Sequence, residues 1–232
     1  MYHFFVERSQ IHPESVTITG PDVNHIKNVL RMKPGEQVLI SNGEDRDYLC
    51  RLTEISADAV EAEILEEREE TTELPAKIWL FQGLPKSDKM ELIIQKAVEL
   101  GAYQIVPVAT KRAVVKLDKK KEEAKLKRWN AISESAAKQS KRLIIPEIAP
   151  VMSFDEALAF VKDFDSRCIP YECASGMDSV RQFVSQTGPG QKIAVFIGPE
   201  GGFEEIEIEK AREAGVVPVS LGKRILRTET AG

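Results

Sequence analysis

Metal-binding and redox-active side chains are scarce in this sequence. Three cysteines and three histidines occur among 232 residues. The cysteines, Cys50, Cys168 and Cys173, are odd in number and lack the C-x-x-C spacing of a zinc ligand pair. This pattern disfavours a metal site. It favours a cytoplasmic protein whose thiols remain reduced.

Long apolar runs and nucleotide fingerprints are also missing. No stretch approaches the ~20 apolar residues that a membrane helix needs, and the start, MYHFFVERSQ, does not resemble a signal peptide. We therefore expect no membrane partner. Neither G-x-G-x-x-G after the first strand nor G-x-x-x-x-G-K-[ST] occurs. Their absence disfavours a nicotinamide oxidoreductase.

The charge is unevenly distributed along the chain. The net charge of −5 argues weakly against a nucleic-acid partner. Residues 1–72, however, contain 7 Lys and Arg against 15 Asp and Glu, whereas residues 86–142 contain 15 against 7. A nucleic acid responds to the local field, so a basic face can exist on an acidic protein. The run KLDKKKEEAKLKR, taken alone, is more typical of a solvated helix face.

The first part of the chain is predicted to be mostly β. SNGED between two strands is a hairpin signal. Pro21 and Asp22 open one short helix, whose apolar face is predicted to carry a buried structural His25 together with Ile26, Val29 and Leu30. The predicted strands are Tyr2–Val6, Val16–Thr19, Gln37–Ser41, Tyr48–Ile55 and Val60–Leu65. The pattern indicates a small barrel, followed by a polar linker from Glu66 to Pro75.

The second part alternates between strands and helices. Asp88 and Glu91 are spaced as a capping box, and Gly101 stands where a C-cap glycine belongs. Such alternation predicts an α/β domain with a parallel sheet. The predicted strands are KIWLFQGL, YQIVPVAT, CIPYEC, KIAVFIG and VVPVSLG. The predicted helices are Ser87–Gly101, Asp118–Ser140, Phe154–Asp163, Val180–Gln186 and Glu204–Ala214.

Three loops after these strands are candidates for a ligand site. They are GPEGG at 198–202, SLGKR at 220–224 and ILRTETAG at 225–232. Ligands of a parallel sheet bind beyond the carboxyl ends of its strands, and glycine lets backbone groups approach a ligand closely. A strand–helix turn that needs positive φ angles explains GPEGG about equally well.

Taken together, the motifs HIKNVLRMKPGE, KMELIIQKAVELGA, SESAAKQSKR, IGPEGGF and LGKRILRTETA resemble the ribosomal RNA small subunit methyltransferase E family of the SPOUT superfamily. The resemblance implies a PUA-like RNA-binding barrel over residues 1–72. It implies a SPOUT methyltransferase domain over 73–232, with a C-terminal trefoil knot. Family members continue beyond TETAG into a last helix, which this sequence, ending at Gly232, is expected to lack.

The family also implies a ligand, a substrate and an assembly. These are S-adenosylmethionine as methyl donor, 16S ribosomal RNA methylated at N3 of one uridine, and a homodimer. The cofactor would be held by Ile197, Gly198, Pro199, Gly201, Gly202, Leu221, Gly222, Ile225, Leu226 and Arg227.

Two of the loop residues are candidates for catalysis. Arg227 would bind a phosphate or the uracil carbonyls and favour the deprotonated imide, a role that the resemblance favours over an ion pair with Glu229. Glu200 is a second candidate, for a cofactor or uracil contact. Its alternative role is to stabilise the dipole of the helix over 204–214.

Basic residues outside the loops are candidates for RNA binding. Arg31 and Lys33 end the first helix, and Lys86 and Arg112 lie in the basic segment. The family match adds Arg142, which could instead offset the dipole of the long helix.

Two other functions stay open from the residues alone. One is a non-catalytic RNA-binding factor of ribosome assembly. The other is methylation of a ribose 2′-oxygen, because only the resemblance distinguishes that reaction from methylation at N3.

Overall fold

A computed structural model describes the chain in five segments. These are residues 1–68, 72–115, 117–172, 174 and 176–232. Part of the predicted linker, Lys116 of the lysine-rich run and Cys173 lie outside them. The chain divides into two compact units. The first comprises Met1–Glu73 with Ala137–Ile145, and the second comprises Leu74–Ala136 with Pro146–Gly232.

The first unit contains a five-stranded sheet around an apolar core. Its strands are β1 (Tyr2–Phe5), β2 (Ser15–Thr19), β3 (Gln37–Ser41), β4 (Asp47–Ile55) and β5 (Ala59–Arg68), in the order β1-β3-β4-β5-β2. Every predicted strand is confirmed. The SNGED hairpin is confirmed as well, because the side-chain oxygen of Asn42 accepts the N–H groups of Glu44, Asp45 and Arg46.

The first helix differs from the prediction. α1 spans only Pro21–Asn24 and continues as a π-helical turn, His25–Val29, in which the N–H of Leu30 donates to the carbonyl of His25. The wider turn alters the inward face, which buries Val23 and Ile26. His25 and Val29 are exposed, so the prediction of a buried structural histidine is wrong.

The second unit contains the predicted parallel sheet. The strands are β6 (Lys77–Gly83), β7 (Gln104–Ala109), β8 (Glu147–Ile148), β9 (Met152–Ser153), β10 (Ser166–Pro170), β11 (Lys192–Ile197) and β12 (Val217–Val219). Their order is β12-β10-β11-β6-β7-β8, and β9 pairs with β7. β8 and β9 were not predicted, because two residues are too few to show alternation.

Helices connect these strands. They are α2 (Lys89–Glu99), α3 (Lys119–Ser140), α4 (Phe154–Phe160), α5 (Asp178–Ser185), α6 (Glu205–Glu213) and α7 (Thr228–Ala231). The C-cap at Gly101 is confirmed by its φ of +99°. The capping box at Asp88 is wrong, because its side chain makes no capping bond and Glu91 pairs with Arg128 at 2.8 Å. Among the described residues, no helix is both long and apolar enough to cross a membrane.

The central strands β6 and β11 carry the core of the second unit. Phe81 and Phe196 stack at 4.6 Å between ring centroids, and Phe154 meets Phe196 edge-on. Both strands are nearly continuous apolar runs because helices cover a parallel sheet on both faces. The loops after β10, β11 and β12 therefore meet at one edge of the sheet.

Candidate cofactor and substrate site

A cavity of about 450 Å³ opens where these three loops meet. All ten residues predicted to hold a cofactor line it: Ile197, Gly198, Pro199, Gly201, Gly202, Leu221, Gly222, Ile225, Leu226 and Arg227. The volume is in the range of pockets that enclose a small organic ligand. The structure therefore brings the predicted cofactor residues together.

The first wall of the cavity is the loop 198–203, and it is tightly packed. A side chain at Gly198 would place its Cβ 3.0 Å from the Cα of Gly202, which itself has a φ of +66°. The N–H of Gly202 donates to the carbonyl of Pro199 at 2.9 Å. A Cβ at Gly83, at the end of β6, would lie 2.5 Å from Cδ of Pro199. Close approach of neighbouring atoms thus requires glycine at 83 and 198, and a positive φ favours it at 202.

The second wall, residues 220–228, is open by comparison. Gly222 has a φ of +106°, and its N–H donates to Oγ of Ser220 at 3.2 Å. The side chain of Arg227 is 82% exposed, and Ile225 is 94% exposed. This wall therefore presents an apolar group and a cation to solvent at the mouth of the cavity.

Glu200 lies in a network of charges at the start of α2. Its two carboxylate oxygens accept the backbone N–H of Lys86 at 3.1 and 3.2 Å, and Nζ of Lys89 lies 3.1 Å from Oε1. The same ammonium lies 3.4 Å from Oε2 of Glu229. α6 has its own capping box, formed by Glu204 and Glu207. Glu200 thus stabilises the start of α2, and the predicted alternative at α6 is not what the structure shows.

These contacts change how the groups ionise. Desolvation alone would raise the pKa of Glu200, but hydrogen bonds from its own backbone N–H and from Lys89 hold it below the usual value. A hydrogen bond from its backbone N–H lowers the pKa of Glu229. The hydrogen bond to Glu200 raises the pKa of Lys89. At neutral pH the cluster therefore holds two carboxylates and an ammonium.

Arg227 pairs with Glu229 at 3.8 Å, which is the alternative role considered for it. The distance is long and the guanidinium is largely exposed, and exposed pairs of this kind contribute little. The side chain is thus placed at the cavity edge and held there only weakly.

The basic residues predicted to bind RNA fall into three places. Arg31 and Lys33 are exposed in the first unit. Lys86 and Arg112 are exposed in the second unit, and both contact the first wall: Nη1 of Arg112 donates to the carbonyl of Gly201 at 2.8 Å. Arg142 is only 3% exposed, and its guanidinium pairs with Glu73. A phosphate would reach Arg142 only if this pair opened.

Sequence reasoning missed several residues of the cavity. Tyr171 and Glu172 line it after β10, and the rule that ligands bind beyond strand ends would have found them. Lys89 also lines it, as does Thr228. The position of Lys89 at the first residue of a helix gives no signal that it bridges two glutamates that lie more than 100 residues away.

Known proteins share this architecture. Residues 72–232 match the family of RNA methyltransferase domains, and residues 18–65 match that of RNA methyltransferase PUA domains. The chain is 40% identical over 237 residues to ribosomal RNA small subunit methyltransferase E of Bacillus subtilis, covering 100% of this chain and 93% of that protein. It is 36% identical to the protein of the same name from Mesomycoplasma hyopneumoniae, covering 100% and 95%.

A solved structure is also similar. It is a ribosomal RNA small subunit methyltransferase E from Neisseria gonorrhoeae bound to S-adenosyl methionine. The identity is 35%, the TM-score is 0.87, and the match covers 100% of this chain and 93% of that one.

Proposed function

The chain belongs to the ribosomal RNA small subunit methyltransferase E family, and from this membership we propose that it methylates one uridine of 16S ribosomal RNA at N3. The expected PUA-like domain and SPOUT-type methyltransferase domain are confirmed. The methyl donor is S-adenosylmethionine. The observation that carries the proposal is the cavity at the strand ends, walled by GPEGG and LGKRILRTETA. The trefoil knot stays a prediction.

The walls of the cavity suit S-adenosylmethionine. The close approach of backbone at Gly198 and Gly202 leaves main-chain groups, and not side chains, to meet a bound adenosine. Glu172 and Glu200 are polar groups suited to the ribose hydroxyls and to the ammonium of the methionine part. When bound, the cofactor supplies a methyl group on a sulfonium.

The substrate must reach the cavity unpaired. The N3 proton of uracil pairs with adenine in a duplex, so the base must be single-stranded or flipped out. N3 is a poor nucleophile until that proton leaves, and a nearby cation favours its loss. Arg227 takes this role in the proposal, because its guanidinium lies at the cavity mouth and is free to turn toward the uracil oxygens.

Glu200 has a different part in the proposal. Hydrogen bonds hold the pKa of Glu200 low, so its carboxylate is a weak proton acceptor. It therefore suits a hydrogen bond that orients the uracil better than it suits general-base catalysis. The N3 proton then leaves to water. Lys86 and Arg112, beside the first wall, and Arg31 and Lys33 in the first unit would contact RNA phosphates, which position the substrate without reading its sequence.

The assembly and setting follow from the same membership. A homodimer would cover the exposed Leu92 and Leu100 on and after α2. The substrate would be the small ribosomal subunit, in the cytoplasm.

Mass mapping of 16S ribosomal RNA tests the function. RNA from a deletion strain should lack one methyl group on a uracil base, and the plasmid-borne chain should restore it. A missing methyl on a ribose would instead support 2′-O methylation. Unchanged methylation with defective subunit assembly would support a non-catalytic assembly factor.

A further inference from the structure

A fully buried amide lies beneath the cavity, at the carboxyl end of β6. Gln82 interrupts an otherwise apolar strand, KIWLFQGL, and pairs in register with Ile197 of β11. Burying an amide costs free energy unless it is hydrogen-bonded. An apolar residue would satisfy the core at this position, so the amide requires another explanation.

The hydrogen bonds of Gln82 join the two walls. Nε2 donates to Oγ1 of Thr228 at 2.9 Å, to the carbonyl of Gly83 at 2.9 Å and to the carbonyl of Gly198 at 3.4 Å. Oγ1 of Thr228 in turn donates to the carbonyl of Gly198 at 2.7 Å. Thr228 is 5% exposed. Gly198 belongs to the first wall and Thr228 ends the second, so one buried network connects both.

The surrounding packing leaves little room for this joint to adjust. Gly83 touches Pro199 so closely that a Cβ would clash. A Cβ at Gly232 would lie 3.5 Å from the methyl groups of Leu80, so the segment after Thr228 packs back onto β6. Oε1 of Gln82, moreover, has no hydrogen-bond partner among the described residues. A buried oxygen without a hydrogen-bond partner calls for an explanation. Here the explanation is that Nε2 of the same side chain makes the hydrogen bonds that connect the walls.

We propose that Gln82 and Thr228 are positioning residues that hold the second wall against the first, and thereby set the affinity for the methyl donor. Neither side chain has to touch the reacting atoms. The proposal rests on the proposed function, because it takes S-adenosylmethionine as the ligand of the cavity.

Calorimetric titration with S-adenosylhomocysteine, the demethylated product, measures the effect without any chemistry. Thr228→Val keeps the shape of the side chain and removes both hydrogen bonds of the hydroxyl. We expect Kd to rise about tenfold or more. Thr228→Ser keeps the hydroxyl and should restore Kd to within about twofold of wild type. Thr230→Val, on the exposed side of the same helix, is the matched control.

Two further measurements separate positioning from plain destabilisation. Hydrogen exchange over residues 225–231 should accelerate in Thr228→Val but not in Thr230→Val. Gln82→Met removes the amide that donates to Thr228, and it should raise Kd in the same way. In steady-state turnover, Thr228→Val should raise KM for the cofactor while kcat at saturation changes far less.

An unchanged Kd in both Thr228→Val and Gln82→Met would overturn the proposal, even if both variants unfolded at a lower temperature than wild type. A fall in kcat with KM unchanged would overturn it too. These outcomes differ from failure of the proposed function, in which the wild-type chain itself would not bind the donor or its product.

Discussion

The two walls of the cavity differ in how firmly they are built. In the wall 198–203 the backbones of Gly198 and Gly202 are in close contact, Pro199 packs against Gly83 at the end of β6, and a capped helix follows. The wall 220–228 exposes Ile225 and Arg227 and is fastened at one end by the bonds of Thr228. A rigid backbone suits the binding of the cofactor, which is the same small molecule in every turnover. An exposed cation suits a substrate that arrives from solvent.

The largest effect is expected from breaking the open wall. Arg227→Ala should reduce single-turnover methyl transfer by ~10²–10⁴-fold, the usual scale of assistance to proton loss. The affinity for S-adenosylmethionine should change far less, because Arg227 is exposed and backbone groups dominate that binding. Arg227→Lys, which keeps the charge but loses the planar fork, should recover part of the rate. A near-normal rate for Arg227→Ala would refute its role.

Breaking the rigid wall should have a smaller effect of another kind. In Gly198→Ala the added methyl meets the backbone of Gly202, and overpacking of this type costs about 1–3 kcal/mol. We expect a rise in the Kd of the cofactor of about tenfold, with the rate at saturation largely kept. Gly188→Ala is the control, because no atom lies within 4 Å of its added Cβ. Equal Kd values for the two variants would show that the tight loop does not govern binding.

The charge cluster around Lys89 is expected to affect how the rate of methyl transfer depends on pH. Lys89 offsets Glu200 and Glu229, so Lys89→Met leaves two carboxylates near the expected uracil anion. The pKa of Glu200 should then rise, and loss of the N3 proton should become harder. Because the rate depends on the uracil anion, the second change moves the rising limb of the rate–pH profile to higher pH, by about one unit. Lys89→Arg should restore the profile. An unshifted profile would remove Lys89 from the account.

What the sequence predicted well was local. The GPEGG wall follows from an apolar strand, a glycine cluster and a helix start within a dozen residues, and the parallel sheet follows from the alternation of elements. The prediction for His25 failed because a π-helical turn broke the assumed period of 3.6 residues.

What the sequence could not give was contact between distant residues. Gln82 and Thr228 are 146 positions apart, and no sequence motif links the two residues. Arg142 was predicted to contact RNA or to offset a helix dipole, but its guanidinium pairs with Glu73, 69 positions away. Such pairings depend on how distant parts of the chain come together in the fold, and the periodicity of the sequence does not encode this.

The separate roles of Gly198 in cofactor binding and Arg227 in chemistry are tested most directly by measuring cofactor Kd and single-turnover rate on the same preparations of Gly198→Ala, Arg227→Ala and the double variant. The account predicts that Gly198→Ala loses affinity and keeps the saturated rate, that Arg227→Ala does the reverse, and that the double variant shows both losses, roughly additive in free energy. If both single variants lose the same quantity, or the double variant is no worse than either one, Gly198 and Arg227 do not divide binding from chemistry and the account is wrong.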